Sequence, residues 1–219
     1  MKILITNDDG INSENLRVLV QAVVKHYPND EIVIVAPEVE QSGVSHAIDI
    51  KNPVHIYRKP DMVENVKTYM VDSTPVACVL MAKNELKYDF DILFSGINNG
   101  LNIGIDVLYS GTCGAALEGL RFCNFTVAFS CNMDTVKGFI AREDEVFKII
   151  KNNNFKGICL NVNFPQEPIG IKVTCQENNN PIIMTDTAAI NKNYVSITPL
   201  KIDITDYDKI ALLQTIIQK

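Results

Sequence analysis

The chain has no tryptophan, only three histidines (His26, His46 and His55), and no C-x-x-C pair among its six cysteines. There is no H-E-x-x-H helix either, so neither zinc pattern is present. With no secretory context, Cys78, Cys113, Cys123, Cys131, Cys159 and Cys175 read as reduced, mostly buried, small apolar residues rather than a disulfide framework. The glycines form neither G-x-G-x-x-G nor G-x-x-x-x-G-K, which leaves dinucleotide and P-loop cofactor folds without support. No apolar run approaches the roughly 20 residues that cross a bilayer, so no membrane span is expected. Met1-Lys2-Ile3-Leu4 runs straight into a strand and leaves no room for a signal peptide, which makes a cytoplasmic protein the expectation. Positive charge is also scarce: 20 Lys and Arg stand against 26 Asp and Glu, a net charge of -6. A nucleic-acid polymer needs a basic footprint, and this chain does not supply one.

What is present is an ordinary globular composition, 47% hydrophobic and 21% charged, in 219 residues. Ile3–Thr6 reads as a strand. Leu16, Leu19, Val20, Val23 and Val24 follow at helical spacing behind the candidate caps Asn12 and Ser13. Glu31–Val35 is the next strand, so the opening is a βαβ unit with a right-handed crossover. The alternation continues with a strand at Thr68–Val71 and a helix from Thr74-Pro75 to about Asn84. A strand at Asp91–Ser95 leads to a small-residue helix over Thr112–Cys123. A strand at Thr126–Ser130 precedes a helix capped by Asp134, with Phe139, Ile140, Phe147 and Ile150 along it, and a strand at Ile158–Val162 follows. This pattern predicts a doubly wound α/β sandwich with a mostly parallel sheet over residues 1–165. Residues 166–219 differ: "QEPIGIKVTCQENNNP" and "NYVSITPL" read as a β-excursion around an Asn-rich turn, followed by a terminal helix with Ile210, Leu213 and Ile217 on one face. The organisation expected is one domain with a C-terminal appendage.

Ligands of open parallel sheets bind outside the carboxyl ends of the strands. Asn7-Asp8-Asp9-Gly10 sits at the first such end. The stretch has two readings. Asn, Asp and Gly are turn residues; equally, adjacent carboxylates repel, and a divalent cation between them turns repulsion into attraction. Ser42 and Asn98, each just past another strand end, are candidates for further protein oxygens. Ser110-Gly111-Thr112 precede a helix, where backbone N–H groups and hydroxyls suit a phosphate, or simply form a capped glycine turn. His46 is a candidate for polarising a leaving group or a polar filler. Asn99, Asn102 and Asp106 read equally well as residues that tie a tight loop together. A cation site beside an anion nest implies hydrolysis of a phosphomonoester.

These stretches together resemble the SurE family of survival-protein nucleotidases. The matching pieces are "ILITNDDGI" (3–11), "VAPEVEQSGVSHAI" (35–48), "VDSTPVACV" (71–79), "SGINNGLNIGIDVLYSGTCGAALEG" (95–119) and "YVSITPL" (194–200). The resemblance implies a Rossmann-like three-layer sandwich that removes phosphate from nucleoside 5′- and 3′-monophosphates, and in some members trims short polyphosphate. It implies one divalent ion per subunit, Mg²⁺ or Mn²⁺ (Ca²⁺ in crystals). Asp8, Asp9, Ser42 and Asn98 fall at the family's metal-ligand positions, with Asp8 or Asp9 as the catalytic proton acceptor. Ser110, Gly111 and Thr112, with Asn98, fall on the substrate-binding side. A C-terminal extension exchanged between subunits implies a homodimer or homotetramer.

The chain departs from the family pattern at Ser73–Cys78, where "GTPADC" is usual, and at Cys113, where a small aliphatic residue is common. Its region between Val173 and Tyr194 is shorter than usual and carries no arginine or tryptophan. Rival readings fit less well. A phospho-receiver module needs an Asp at the strand end where this chain has Ser95-Gly96-Ile97-Asn98. An aspartyl-nucleophile phosphatase needs D-x-D where this chain has neighbouring Asp residues. A nucleotide-binding scaffold without activity would be expected to have lost a matched ligand position, and none is lost.

Overall fold

The structure, a computed structural model, describes residues 1–176 and 182–217. The expected Asn-rich turn lies outside the described residues. The first strand, β1 (Lys2–Thr6), is followed by α1 (Glu14–His26), β2 (Glu31–Pro37), β3 (Ile56–Lys59), β4 (Lys67–Val71) and α2 (Pro75–Asn84). Then come β5 (Ile92–Asn99), a 3₁₀ turn (Gly104–Leu108), α3 (Gly111–Gly119), β6 (Phe125–Cys131), α4 (Lys137–Asn152) and β7 (Ile158–Phe164). The chain closes with β8 (Gly170–Val173), α5 (Asp186–Asn191), β9 (Tyr194–Leu200) and α6 (Tyr207–Ile217).

All nine strands join one sheet in the order β3-β4-β2-β1-β5-β6-β7-β9-β8. The six from β4 to β7 run parallel; β3 pairs antiparallel with β4, and β9 antiparallel with β7. Alternate residues of the central strands feed two separate cores, as the two-residue strand period requires. Ile3, Ile5, Ile32 and Ile34 pack under α1 and α4 with a phenylalanine cluster of Phe94, Phe129, Phe139, Phe147 and Phe164. Leu4, Val33, Val35 and Leu93 pack under α2 and α3 with Cys78 and Cys113. Helix, sheet, helix: the three-layer architecture expected from the alternation is present.

Several local expectations are corrected. β3 has no counterpart in the sequence pattern: it is a short edge strand, "IYRK", of mixed polarity, which pairs antiparallel with the next strand, Ile56 opposite Val71 and Lys59 opposite Thr68. β8 and β9 extend the main sheet rather than leaving it, because β9 hydrogen-bonds β7 along its length. Asp134 does not cap α4, which begins at Lys137 behind Val136. Instead Asp134 adopts a φ of +58°, its N–H donated to Asn99 Oδ1 at 2.7 Å. On α4, Phe139, Val146, Phe147 and Ile150 are buried while Ile140 is exposed. α3 also ends four residues earlier than the apolar run suggests, at Gly119. Among the described residues Cys78, Cys113, Cys131 and Cys159 are buried and form no disulfide. Every residue of α6 is exposed, including Ile210, Leu213 and Ile217. Among the described residues no helix is long and apolar enough to cross a membrane.

Candidate active site

The chain leaves β1 for β2 on one side and later returns to β5 on the other, so the sheet's crevice opens between the carboxyl ends of β1 and β5. Asn7-Asp8-Asp9-Gly10 occupies that point. Asn7 is buried, and its Nδ2 donates to the Gly10 carbonyl at 2.9 Å, closing the turn. Gly10 has a φ of +94°, and a Cβ there would meet the Val39 backbone at 3.1 Å. A larger residue could not bring the turn so close to the loop after β2. The loop is stitched on by Gln41 N–H, which donates to the Asp8 carbonyl at 2.7 Å, and by Ile11 N–H, which donates to Pro37 O at 2.7 Å.

The two carboxylates have different surroundings. Asp8 is buried and faces the start of α3. The Thr112 N–H donates to its Oδ2 at 3.1 Å, and the Thr112 hydroxyl donates to its Oδ1. Gly111 allows this approach, since a Cβ on it would sit 3.1 Å from Asp8 Oδ2 and from Val44 Cγ2. Ser110 caps the helix, accepting from Cys113 N–H at 3.0 Å. Asp9 is half-buried and leans the other way, accepting from Asn99 N–H at 3.1 Å through Oδ2. With Glu40, Asn99, Asp134, Ser13 and Asn15 it lines an open cleft of about 480 Å³.

Burial pushes the Asp8 carboxyl up from its ordinary pKa, against the pull of the Thr112 donors, and the Glu40 charge adds to the rise. Asp9 is pushed up to about 6, first by burial, then by the neighbouring Asp8 charge, with Glu40 contributing again. Among the described residues, the charges that raise these two pKa values are the carboxylates of Glu40 and, for Asp9, Asp8. The donor set is therefore hard, anionic and short of positive charge, which fits an oxygen-loving divalent cation.

The structure brings Asp8, Asp9, Gly111, Thr112 and the Ser110 cap together. Ser42 follows Gln41, the residue bonded to Asp8, and its own Oγ donates to Glu40 Oε1 at 2.5 Å. Asn98 precedes Asn99, the residue bonded to Asp9, and spends its amide nitrogen on Gly100 O at 2.7 Å. Thr112 has a place that the sequence pattern does not give it: both its donors serve Asp8. His46 lies along α3 with Nε2 on Glu118 Oε2 at 2.8 Å, which ties its ring to the helix. Asn102 is a buried tie, bonded to Asn161, Asn163 and Ser130. Asp106 turns the loop through its carbonyl, which accepts from Tyr109 N–H. Glu40 and the Asn99 N–H are site groups that sequence reasoning misses, although both lie inside distinctive stretches, "PEVEQSG" and "GINNG".

Comparison with known proteins gives a consistent result. The family model for "Survival protein SurE" matches residues 3–182. A "5'-nucleotidase SurE" from Caldanaerobacter subterraneus subsp. tengcongensis is 32% identical, with 97% of this chain and 96% of that protein covered. One of the same name from Aeromonas hydrophila subsp. hydrophila is 34% identical, with 96% of each covered. The crystal structure of a SurE protein from Aquifex aeolicus superimposes with a TM-score of 0.81 at 29% identity, covering 99% of both chains. A match through the site's own residues, carried along nearly the whole chain at 32–34% identity, means that this protein belongs to the SurE family.

Proposed function

We propose that the protein is a nucleotidase, a phosphomonoesterase that hydrolyses nucleoside monophosphates with the help of one divalent cation. The observation that carries this reading is the Asp8–Asp9 pair: two neighbouring carboxyls with raised pKa and no basic partner, set against the start of a helix. The relatives named 5'-nucleotidase SurE support the reaction class and favour 5′-nucleotides as substrates.

Asp8, Asp9, Ser42 and Asn98 would hold the cation. When bound, Mg²⁺ or Mn²⁺ neutralises phosphoryl oxygens and lowers the pKa of a water. Asp8 Oδ1 and Oδ2 are both occupied by Thr112 donors, so Asp8 is a fixed ligand. Asp9 Oδ2 is held by Asn99 N–H, which leaves Oδ1 to take the proton of the attacking water. Ser110 Oγ accepts from Cys113 N–H, so its own hydrogen points elsewhere, and it joins the Gly111 N–H in binding the phosphate at the positive end of α3. Hydrolysis of 3′-nucleotides and of short polyphosphate belongs to the same proposal. So does assembly into a homodimer or homotetramer through residues 166–219, supported by the exposed apolar residues of α6.

The test is phosphate release from 5′- and 3′-nucleotides and tripolyphosphate, with Mg²⁺, Mn²⁺ or EDTA. Release from 5′-nucleotides that EDTA abolishes is the expected result. Turnover indifferent to EDTA would sink the cation site, and no turnover of any nucleotide would sink the substrate class.

A further inference from the structure

We propose that Asp186 and Gln176 are positioning residues for the phosphate-binding loop, holding Gly104 through its N–H and its carbonyl so that the C-terminal region sets where Ser110 and Gly111 stand. The inference rests on the reading of the α3 start as the phosphate site and extends it to residues that no motif reaches. The Gly104 N–H donates to Asp186 Oδ2 at 3.0 Å, and the Gly104 carbonyl accepts from Gln176 Nε2 at 2.9 Å. The partners lie 82 and 72 residues further along the chain.

Gly104 has a φ of +54° and opens the 3₁₀ turn that delivers the chain to Tyr109 and then Ser110. The other end of that turn is held as well: Ser45 N–H donates to Tyr109 O at 2.9 Å, and Ser45 Oγ donates to Leu108 O at 2.7 Å. The turn is a short link anchored at both ends, so loss of the Gly104 anchor leaves the helix start resting on the Ser45 contacts and less firmly placed.

Asp186 is wholly buried, and among the described residues the groups that ease its burial are hydrogen-bond donors, Gly104 and Thr187, rather than a basic side chain. Its remaining acceptor capacity goes to Thr187, from N–H at 2.7 Å and Oγ1 at 3.3 Å. Burying a carboxylate without a cation is costly. Helix capping does not account for it, because Thr185 already caps α5 through Ala188 N–H at 3.1 Å. Among the described residues, the one long-range hydrogen bond of this carboxylate is with the Gly104 N–H; its bonds to Thr187 are local to the first turn of α5.

The experiment compares Asp186→Asn, Gln176→Ala and the double variant with the unaltered protein. It measures KM and kcat for a 5′-nucleotide, inorganic-phosphate binding by calorimetry, Mn²⁺ affinity, and near-ultraviolet circular dichroism as a check on folding. Each single variant is expected to weaken phosphate binding and raise KM about fivefold to tenfold, the scale of one hydrogen bond. kcat should stay within about threefold, and Mn²⁺ affinity should be unchanged. Because both contacts hold one residue, on the peptides either side of its Cα, the double variant should cost less than the product of the two. Unchanged phosphate binding in both singles, multiplying effects, or losses tracking the unfolded fraction would overturn the proposal. Phosphate binding reads the loop without turnover. Should the unaltered protein bind phosphate but hydrolyse no nucleotide, the function fails while the variants still decide the loop. Should it bind no phosphate, both fail.

Discussion

Thr112 donates its backbone N–H and its hydroxyl to the same carboxylate, that of Asp8, across 104 residues of chain. The contact joins the turn after β1 to the start of α3, so the carboxylates proposed to hold the cation and the helix start proposed to hold the phosphate share a wall. A carboxylate that accepts two donors is held in place, and those donors oppose, without overcoming, the rise in pKa that burial imposes on Asp8.

Removing one donor isolates that effect. Thr112→Val keeps the shape and the backbone N–H but loses the hydroxyl. A hydrogen bond to a charged group is worth about 1.5–3 kcal/mol, so kcat/KM should fall about tenfold to a hundredfold. Mn²⁺ affinity should fall with it, while the far-ultraviolet circular dichroism stays the same. Full activity in Thr112→Val would show that the backbone donor alone suffices to place Asp8.

The Asp9 carboxyl should cost the metal-free protein stability. Its folded pKa, about 6, is above the ordinary carboxylate value, so the native state holds the proton more tightly than the unfolded chain does. Stability from this group is therefore complete below about pH 4 and is lost as pH rises through about 6. A two-unit shift is at most ~3 kcal/mol; discounted for the partial exposure of Asp9, about 1–2 kcal/mol remains. Asp9→Asn should accordingly raise the melting temperature of the EDTA-treated protein at pH 7.5 while abolishing phosphate release. It should also lose the further rise that Mn²⁺ gives the unaltered protein. A lower melting temperature for Asp9→Asn without metal would contradict the charge-repulsion account.

Much of this arrangement is legible in the amino-acid sequence alone. β1, β2, β5 and β6 are runs of branched and aromatic residues bounded by turn residues, and their alternation with helices dictates a parallel sheet with its crevice at the Asn7–Gly10 turn. The parts that are not legible depend on distant partners. β3 is four residues of mixed polarity, recognisable as a strand only beside β4. The start of α4 is set by Asn99 receiving the Asp134 N–H, so a local capping rule points to the wrong residue. The grip of Asp186 on Gly104 leaves no local pattern at all, because an Asp next to a Thr cap looks like an ordinary first-turn acid.

Close packing of the loop after β2 against α3 makes Gly114 a second place to intervene. An added Cβ would fall 2.5 Å from the Ser45 carbonyl oxygen and 3.2 Å from His46 Cα, so backbone has to move. Gly111→Ala is milder, meeting the Asp8 side chain and Val44 Cγ2 at 3.1 Å. Overpacking costs about 1–3 kcal/mol, and a clash with backbone belongs to the upper part of that range, about 2–3; the gain in helix propensity returns a little under 1, so Gly114→Ala should lose about 1–2 kcal/mol net. At this chain length that is about 2–8 °C in melting temperature. Gly111→Ala should show the reverse balance, with a small loss of stability and a large loss of activity. Equal melting temperatures for the two variants would mean that the loop after β2 yields freely.

The last expectation concerns acid stability far from the site. His26 stacks on Phe147 with ring centroids 4.4 Å apart, and its Nε2 stands 3.2 Å from Asp144 Oδ1. Burial lowers its pKa from 6.5 in spite of Asp144 and Glu143, while Lys25 and Lys151 act in the same direction as burial. The unfolded chain therefore takes up the proton first. Stability from this group is complete above about pH 6.5 and is lost as pH falls through the lower folded value. His26→Phe keeps the stack and removes the titration. Other groups titrate over the same range, and Asp9 acts with the opposite sign, so the quantity to read is the difference between the two proteins. Urea midpoints measured from pH 7.5 to 5 should converge or cross as pH falls, the variant holding its stability better than the unaltered chain. A constant gap across that range would show that His26 carries the same charge in the folded and unfolded states.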